Sequence, residues 1–295
     1  MALRAFGLAL LGWAAIVVPS TAADLVPRKA PAAGASDDET FDVELKSFVM
    51  SDYIYRGVSL SQRKPSAGAS VEAQLYSFYV GANVQSVDLP TQPASEVTWS
   101  AGYRWSVAGF DLDLGANYFW YPGEILAPGQ PATSYWEYAF DVERKLIEGV
   151  KVEGVLGYSP NVSGSGAWGA YAEASFEIDL PRLQVLRDVK WQLVGNAGYW
   201  RFGDTSAAQG GLPLPAYANW RLGLVLTLRE HLSLDLSYWD TNLSKEDCFV
   251  LTGDTMATPG GVANPINNPD GLRSRLCGAT LVGTLTAKFD LSELK

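Results

Sequence analysis

FDLDLGANYFWYPG, residues 110–123, decides the fold class. Its side chains alternate: Phe110, Leu112, Leu114, Ala116, Tyr118 and Trp120 fall on one face, and Asp111, Asp113, Gly115, Asn117 and Phe119 on the other. A β-strand places successive side chains on opposite faces, so this run has one greasy side and one polar side. It ends in four aromatics and a Pro-Gly turn. A tilted strand of about 9–11 residues crosses a bilayer, and aromatic rings gather where such a strand leaves the hydrocarbon. The stretch therefore reads as one stave of an outer-membrane β-barrel.

The rest of the chain repeats it. Alternation predicts strands over residues 41–55, 66–76, 78–87, 96–106, 110–121, 134–145, 150–158, 170–179, 189–202, 217–228, 232–239 and 279–290. That makes about twelve, an even number, as an up-and-down antiparallel barrel needs when both termini lie on its periplasmic side. Long connections follow every odd strand: GVSLSQRKP, DLPTQPAS, PGEILAPGQPAT, SPNVSGSGAWG, GDTSAAQGGLPLPA and the stretch from Asp240 to Gly278. The intervening ones are short, such as VAG, LIEG and REH, with LPRLQVLRD the longest. Long external loops and short periplasmic turns sort in this way in a membrane barrel; a soluble sandwich has no reason to sort them.

Composition agrees. Hydrophobic content is 47% and mean hydropathy is near zero at +0.01, too polar for a helical membrane protein but suited to strands with one polar face. The net charge of −10 argues against nucleic acid, whose phosphates need a basic surface. Residues 1–23 carry Arg4, an apolar run and the small residues Ser20, Thr21, Ala22 and Ala23, and read as a secretory signal peptide; the other reading is a membrane anchor, for which the run is short. Residues 24–40, rich in Pro, Ala and acids, read as a disordered periplasmic leader, with the barrel occupying 41–295.

Two aromatic girdles are expected. Tyr53, Tyr55, residues 118–121, Tyr135, Trp136, Tyr158, Trp168, Tyr199, Trp200, Trp220, Tyr238 and Trp239 would form the outer one; Trp105, Phe110 and Trp191 mark the other rim. A charge on the lipid face would cost roughly 2–4 kcal/mol near the midplane. The strand charges Arg104, Asp111, Asp113, Glu137, Asp141, Glu153, Glu173, Arg221 and Asp235 are therefore assigned to the lumen. There they either line an open pore or neutralise one another in a plugged interior. Cys248 and Cys277, the two cysteines, suggest a disulfide in an oxidising compartment, with two free thiols as the alternative.

Several stretches, in order, carry a resemblance: SDYIYRGVS (residues 51–59), YFWYPG (118–123), YSP (158–160), GYWRFGD (198–204), ANWRLGLVLTL (218–228) and LSYWDTN (236–242). With these the chain resembles the TorF-type porins of Gram-negative bacteria, the Gcw_chp family. The resemblance implies an outer-membrane barrel and names no substrate. It makes Ser51, Asp52, Tyr53, Arg56 and Gly57 the signature positions. Their physical reading is a strand end with an Asp–Arg pair beside the first external loop.

Three functions are weighed. The first is a porin-like barrel allowing passive diffusion of small solutes or ions; its acidic lumen hints at cation preference. The second is a plugged structural or adhesive barrel acting through its external loops, above all the one between the cysteines. The third is an outer-membrane enzyme, for which the sequence offers little. The only histidine, His231, sits in the short REH turn, which excludes a Ser–His or Asp–His machine at the outer mouth. Asp52 with Asp111 and Asp113 could form an acid pair, though scattered lumen carboxylates are the plainer account. No metal cluster, nucleotide motif or cofactor site is evident, so the expected partners are membrane lipid and small solutes or ions.

Overall fold

The computed structural model describes residues 41–181, 188–254 and 272–290. The expected signal peptide, the leader and most of the LPRLQVLRD turn lie outside the described residues. Twelve long strands close into one antiparallel barrel: β1 (Phe41–Met50), β4 (Ser66–Leu75), β5 (Phe78–Gln85), β6 (Glu96–Val107), β7 (Phe110–Trp120), β8 (Tyr135–Ile147), β9 (Val150–Ser159), β10 (Gly169–Asp179), β11 (Val189–Phe202), β12 (Tyr217–Leu228), β13 (Leu232–Thr241) and β14 (Thr280–Asp290). Each pairs with its neighbours in chain order, and β1 pairs with β14 to close the ring, Glu44 opposite Asp290 and Met50 opposite Thr284. Closure removes every free sheet edge. A one-residue slip would turn each strand inside out, so the period-2 pattern also fixes register.

The outer face is apolar along its length. Leu45, Val49, Val71, Val80, Leu114, Leu156, Leu222, Leu236, Leu281 and Leu285 are all exposed large hydrophobics. Trp99, Trp120, Trp136, Tyr138, Tyr158, Tyr199 and Tyr238 share that outer face. Among the described residues no helix is long and apolar enough to cross a membrane. The polar residues of the same strands turn inward, where Glu72, Asn83, Thr98, Arg104, Asp113 and Asn219 are buried.

Two departures from the sequence expectation matter. The first strand does not run to Tyr55. It stops at Met50, and the chain leaves the ladder to form a separate two-stranded ribbon, β2 (Ile54–Tyr55) and β3 (Val58–Ser59). The last long loop also carries a helix, α1 (Lys245–Thr252), whose N-terminus is capped by Ser244 Oγ accepting from the Asp247 N–H.

Candidate functional site

The signature stretch builds the centre of the molecule. In the β2–β3 ribbon Tyr55 faces Val58, which leaves Arg56 and Gly57 as a two-residue turn. Both have positive φ, 43° and 82°, as in the tight hairpins whose twist matches their strands. A side chain at Gly57 would collide with Thr241 Cγ2 and lie 3.1 Å from Asn219 Cβ. The tip of the hairpin is therefore pressed against β12 and β13, three and two strands round the barrel from its root on β1. It has folded into the lumen at the long-loop mouth.

Arg56 ends in a polar and aromatic recess on the barrel wall. Its Nη1 and Nη2 donate to Glu137 Oε2 and Oε1 at 2.9 and 2.8 Å, a bidentate pair from which water is nearly excluded on both sides. Its guanidinium lies 3.8 Å from the ring centre of Tyr171 and 4.4 Å from that of Trp200, with Tyr55 at 4.6 Å. Tyr53 Oη and Tyr121 Oη both donate to the carboxylate of Glu96, each at 2.7 Å. Around them Phe119, Tyr121, Tyr135, Trp200 and Tyr217 form one buried cluster with Tyr53, Tyr55 and Val58. Phe119 and Tyr135 stack face to face, centres 4.6 Å apart.

This corrects the girdle expectation. Tyr53, Tyr55, Tyr121, Tyr135 and Trp200 are buried inside, not set in a lipid rim; Trp200 is 1% exposed while its neighbour Tyr199 is 51% exposed. Adjacent residues of a strand cannot share a face, so only one of each such pair could have belonged to the rim. Trp239 is likewise turned inward, its ring 5.1 Å from the Arg221 guanidinium.

The expected Asp52–Arg56 pair is also corrected. Asp52 stays inside its own loop: Ser59 Oγ donates to its Oδ1 at 2.6 Å, Ser61 Oγ lies 2.9 Å from the same oxygen, and Arg63 Nε stands 3.8 Å from Oδ2. Burial raises the Asp52 carboxyl above its usual range, although Ser59, Ser61 and Arg63 pull the other way. Ser51 joins the loop to the closing strand, its N–H donating to the Gly283 carbonyl and its Oγ accepting from the Gly283 N–H.

Neighbouring loops hold the hairpin down. The Ser59 N–H donates to the Leu276 carbonyl, the Asp88 N–H to the Leu60 carbonyl, and Arg63 Nη2 to the carbonyls of Arg275 and Gly278. Cys248 on α1 is disulfide-bonded to Cys277, and Thr241 Oγ1 donates to the Cys277 carbonyl at 2.6 Å. The last loop is thus tied to itself and to the hairpin at adjoining residues.

In the rest of the lumen, down to the short-turn mouth, the charges gather into compensated groups. Arg104 donates to Glu72 Oε1 at 2.6 Å and to Asp113 Oδ2 at 2.8 Å, and Tyr79 Oη donates to Asp113 Oδ1. The Tyr79 ring fits there because β6 and β7 offer Gly102 and Gly115; a Cβ at either would come within 2.6 Å of its hydroxyl oxygen. Lys151 bridges Glu143 and Glu177, Glu44 pairs with Lys46 and Lys288, and Arg221 with Asp235. Asp111 accepts from Ser106 at the rim. Glu173 accepts from Tyr171 and from Asn196, Glu153 lies 3.4 Å from Ser175 Oγ, and Asp141 sits on the same wall opposite Asp113 and Val155. Asp52, Asp111 and Asp113 are not assembled as an acid pair: Asp52 lies in the hairpin loop, with Ser59 and Ser61 as its partners, while the other two lie beside the short turn of β6 and β7. His231 is exposed in the turn before β13.

Glu72, Glu96, Tyr79 and Tyr171 were not singled out by sequence reasoning. Strand parity alone places Glu72 and Glu96 inside; which of them meet depends on register across several strands, which one strand's pattern does not contain.

A family described as "Bacterial protein of unknown function (Gcw_chp)" matches residues 32–258. No curated protein matches the chain. Among solved structures the chain is similar to the KdgM porin (7% identity, covering 84% of this chain and 99% of that one, TM-score 0.46). It is also similar to the NanC porin (6% identity, 83% and 98%, TM-score 0.45) and to a bacterial polysaccharide outer membrane secretin (6% identity, 86% and 99%, TM-score 0.40).

Proposed function

The chain belongs to the bacterial Gcw_chp family, whose function is unknown, and we propose that it is an outer-membrane porin, of the TorF type it resembles, whose resting lumen is shut by the Arg56–Gly57 hairpin. The observation that carries this reading is the seating of that hairpin tip against Glu137, Tyr171, Trp200 and Thr241 inside a closed twelve-strand barrel. The apolar outer face supports a lipid setting. Barrels of about eight strands are filled by side chains and those of 16–18 hold an aqueous channel; twelve leaves room for a narrow channel that one loop can occlude. The solutes are small and passively diffusing, with a cation preference from the overall acidity that a reversal potential would measure. An enzymatic role is not part of the proposal, since His231 lies at the mouth opposite the buried cluster.

Planar-bilayer recording tests it. Wild-type protein should give rare or small openings, and a variant with residues 53–61 replaced by a short Gly-Ser linker should give larger, lasting ones. If neither form conducts at any voltage, the lumen is a solid plug. The second reading, a structural barrel acting through its loops, then stands; the cross-tied Ser59–Leu276 and Cys248–Cys277 surface favours it.

A further inference from the structure

The recess that receives Arg56 belongs to the wall, not to the loop. Gly157, Tyr171 and Trp200 are direct cross-strand neighbours on β9, β10 and β11, and Glu137 comes from β8, which pairs with β9. Four consecutive strands of a closed ladder set their positions, so the recess persists when the hairpin is elsewhere. Its parts suit one chemistry. The Glu137 carboxylate, 2% exposed, presents both oxygens to two parallel N–H groups at 2.9 and 2.8 Å. That is the match of a planar guanidinium fork, which a compact ammonium does not make. The rings of Tyr171 and Trp200 supply aromatic faces for a delocalised cation. Gly157 supplies the space, because a Cβ there would come 3.2 Å from Arg56 Nη2.

We propose that the Glu137–Gly157–Tyr171–Trp200 recess is a recognition site for small guanidinium-bearing solutes, and that Arg56 fills it as a tethered stand-in. The proposal rests on the reading of the hairpin as the closure of the lumen. A free solute competes with Arg56 for the recess; when it wins, the hairpin tip loses its main polar anchor and withdraws. The tether gives Arg56 an effective concentration on the order of millimolar or more, so wild-type protein responds only to solute in that range.

Isothermal titration calorimetry of the full chain in detergent, with N-ethylguanidine as titrant, tests the site. Arg56→Ala protein should bind it saturably and at least tenfold more tightly than wild type, than Arg56→Ala/Glu137→Gln protein, and than Arg56→Ala protein titrated with ethylammonium. Absence of saturable heat with the Arg56→Ala protein, or equal binding by the double variant, overturns the proposal. Arg56→Gln, which keeps a planar polar group at the tip, serves the same comparison if Arg56→Ala does not migrate as a folded barrel. The heat does not depend on conduction: binding without conductance overturns the pore reading and leaves the site, and conductance without binding does the reverse.

Discussion

Arg56 and Glu137 stand 81 residues apart in sequence and share two hydrogen bonds at 2.9 and 2.8 Å inside the lumen. A buried ion pair costs desolvation on both sides, and removing one member strands the other charge, a loss of about 3–5 kcal/mol. Arg56→Ala and Glu137→Gln should each loosen the hairpin, and the double variant should lose far less than the sum of the two. Limited proteolysis at Arg63 and single-channel open probability read the effect; additive losses would show that the two groups act separately.

The Cys248–Cys277 bond closes a loop with a sequence separation of 29. In the chain-entropy account such a cross-link is worth about 3–4 kcal/mol against the unfolded loop. Its effect should be local, since the twelve-strand ladder does not depend on it. Reduction, or paired Cys→Ser substitution, is expected to raise the exchange of the Ser59 amide, which donates to Leu276, while barrel migration on gels stays unchanged. Non-reducing mass should fall two protons below the reduced form. Unaltered exchange at Ser59 after reduction would mean that α1 holds the hairpin without the disulfide.

The barrel was legible because period-2 alternation is a local property: β11 and β12 begin and end at the residues the pattern predicts, Val189–Phe202 and Tyr217–Leu228. The plug was not. Through SDYIYRG the chain keeps an alternating, aromatic texture, and periodicity does not report that backbone has left the ladder at Met50. Gly57 was the available signal, since Arg56-Gly57 between short β-prone pairs marks a two-residue turn. Arg56 finding Glu137 rather than nearby Asp52 depends on where the tip lands, which is a tertiary fact. Trp200 carried a parity clue in its neighbour Tyr199, because the two must face opposite ways.

Gly57 tests the seating of the tip. Its φ of 82° strains any residue with a Cβ, and the added atom would collide with Thr241 Cγ2. Gly57→Val should cost about 1–3 kcal/mol in strain alone and push the hairpin off β13. The expected result is raised conductance with an unchanged barrel; conductance equal to wild type would place the occluding contact elsewhere.

Asp52 gives the hairpin loop a pH dependence with a definite sign. Its carboxyl is raised in the folded loop by burial. The folded state then holds the proton more tightly than the unfolded one, so stability falls as pH rises from the usual carboxylate range through the raised value. Hairpin order, followed by proteolysis at Arg63, should be greater under mild acid than at neutrality. Asp52→Asn keeps an oxygen for Ser59 and Ser61 and should flatten that dependence. A profile unchanged in the Asn variant would assign the titration to another group.

Leu222 and Thr284 separate the two faces of the wall. Leu222, in the middle of β12, is 54% exposed among Leu224 and Leu236 on the apolar outer face. Thr284 points inward from β14, opposite Asp235. An arginine near the bilayer midplane costs about 2–4 kcal/mol, whereas one in the lumen can meet the Asp235 carboxylate. Leu222→Arg should therefore lower the yield of heat-modifiable barrel in the outer-membrane fraction, and Thr284→Arg should leave it close to wild type while altering conductance. Equal tolerance of both would mean that the apolar face does not meet lipid, because a charge in water at position 222 carries no such penalty.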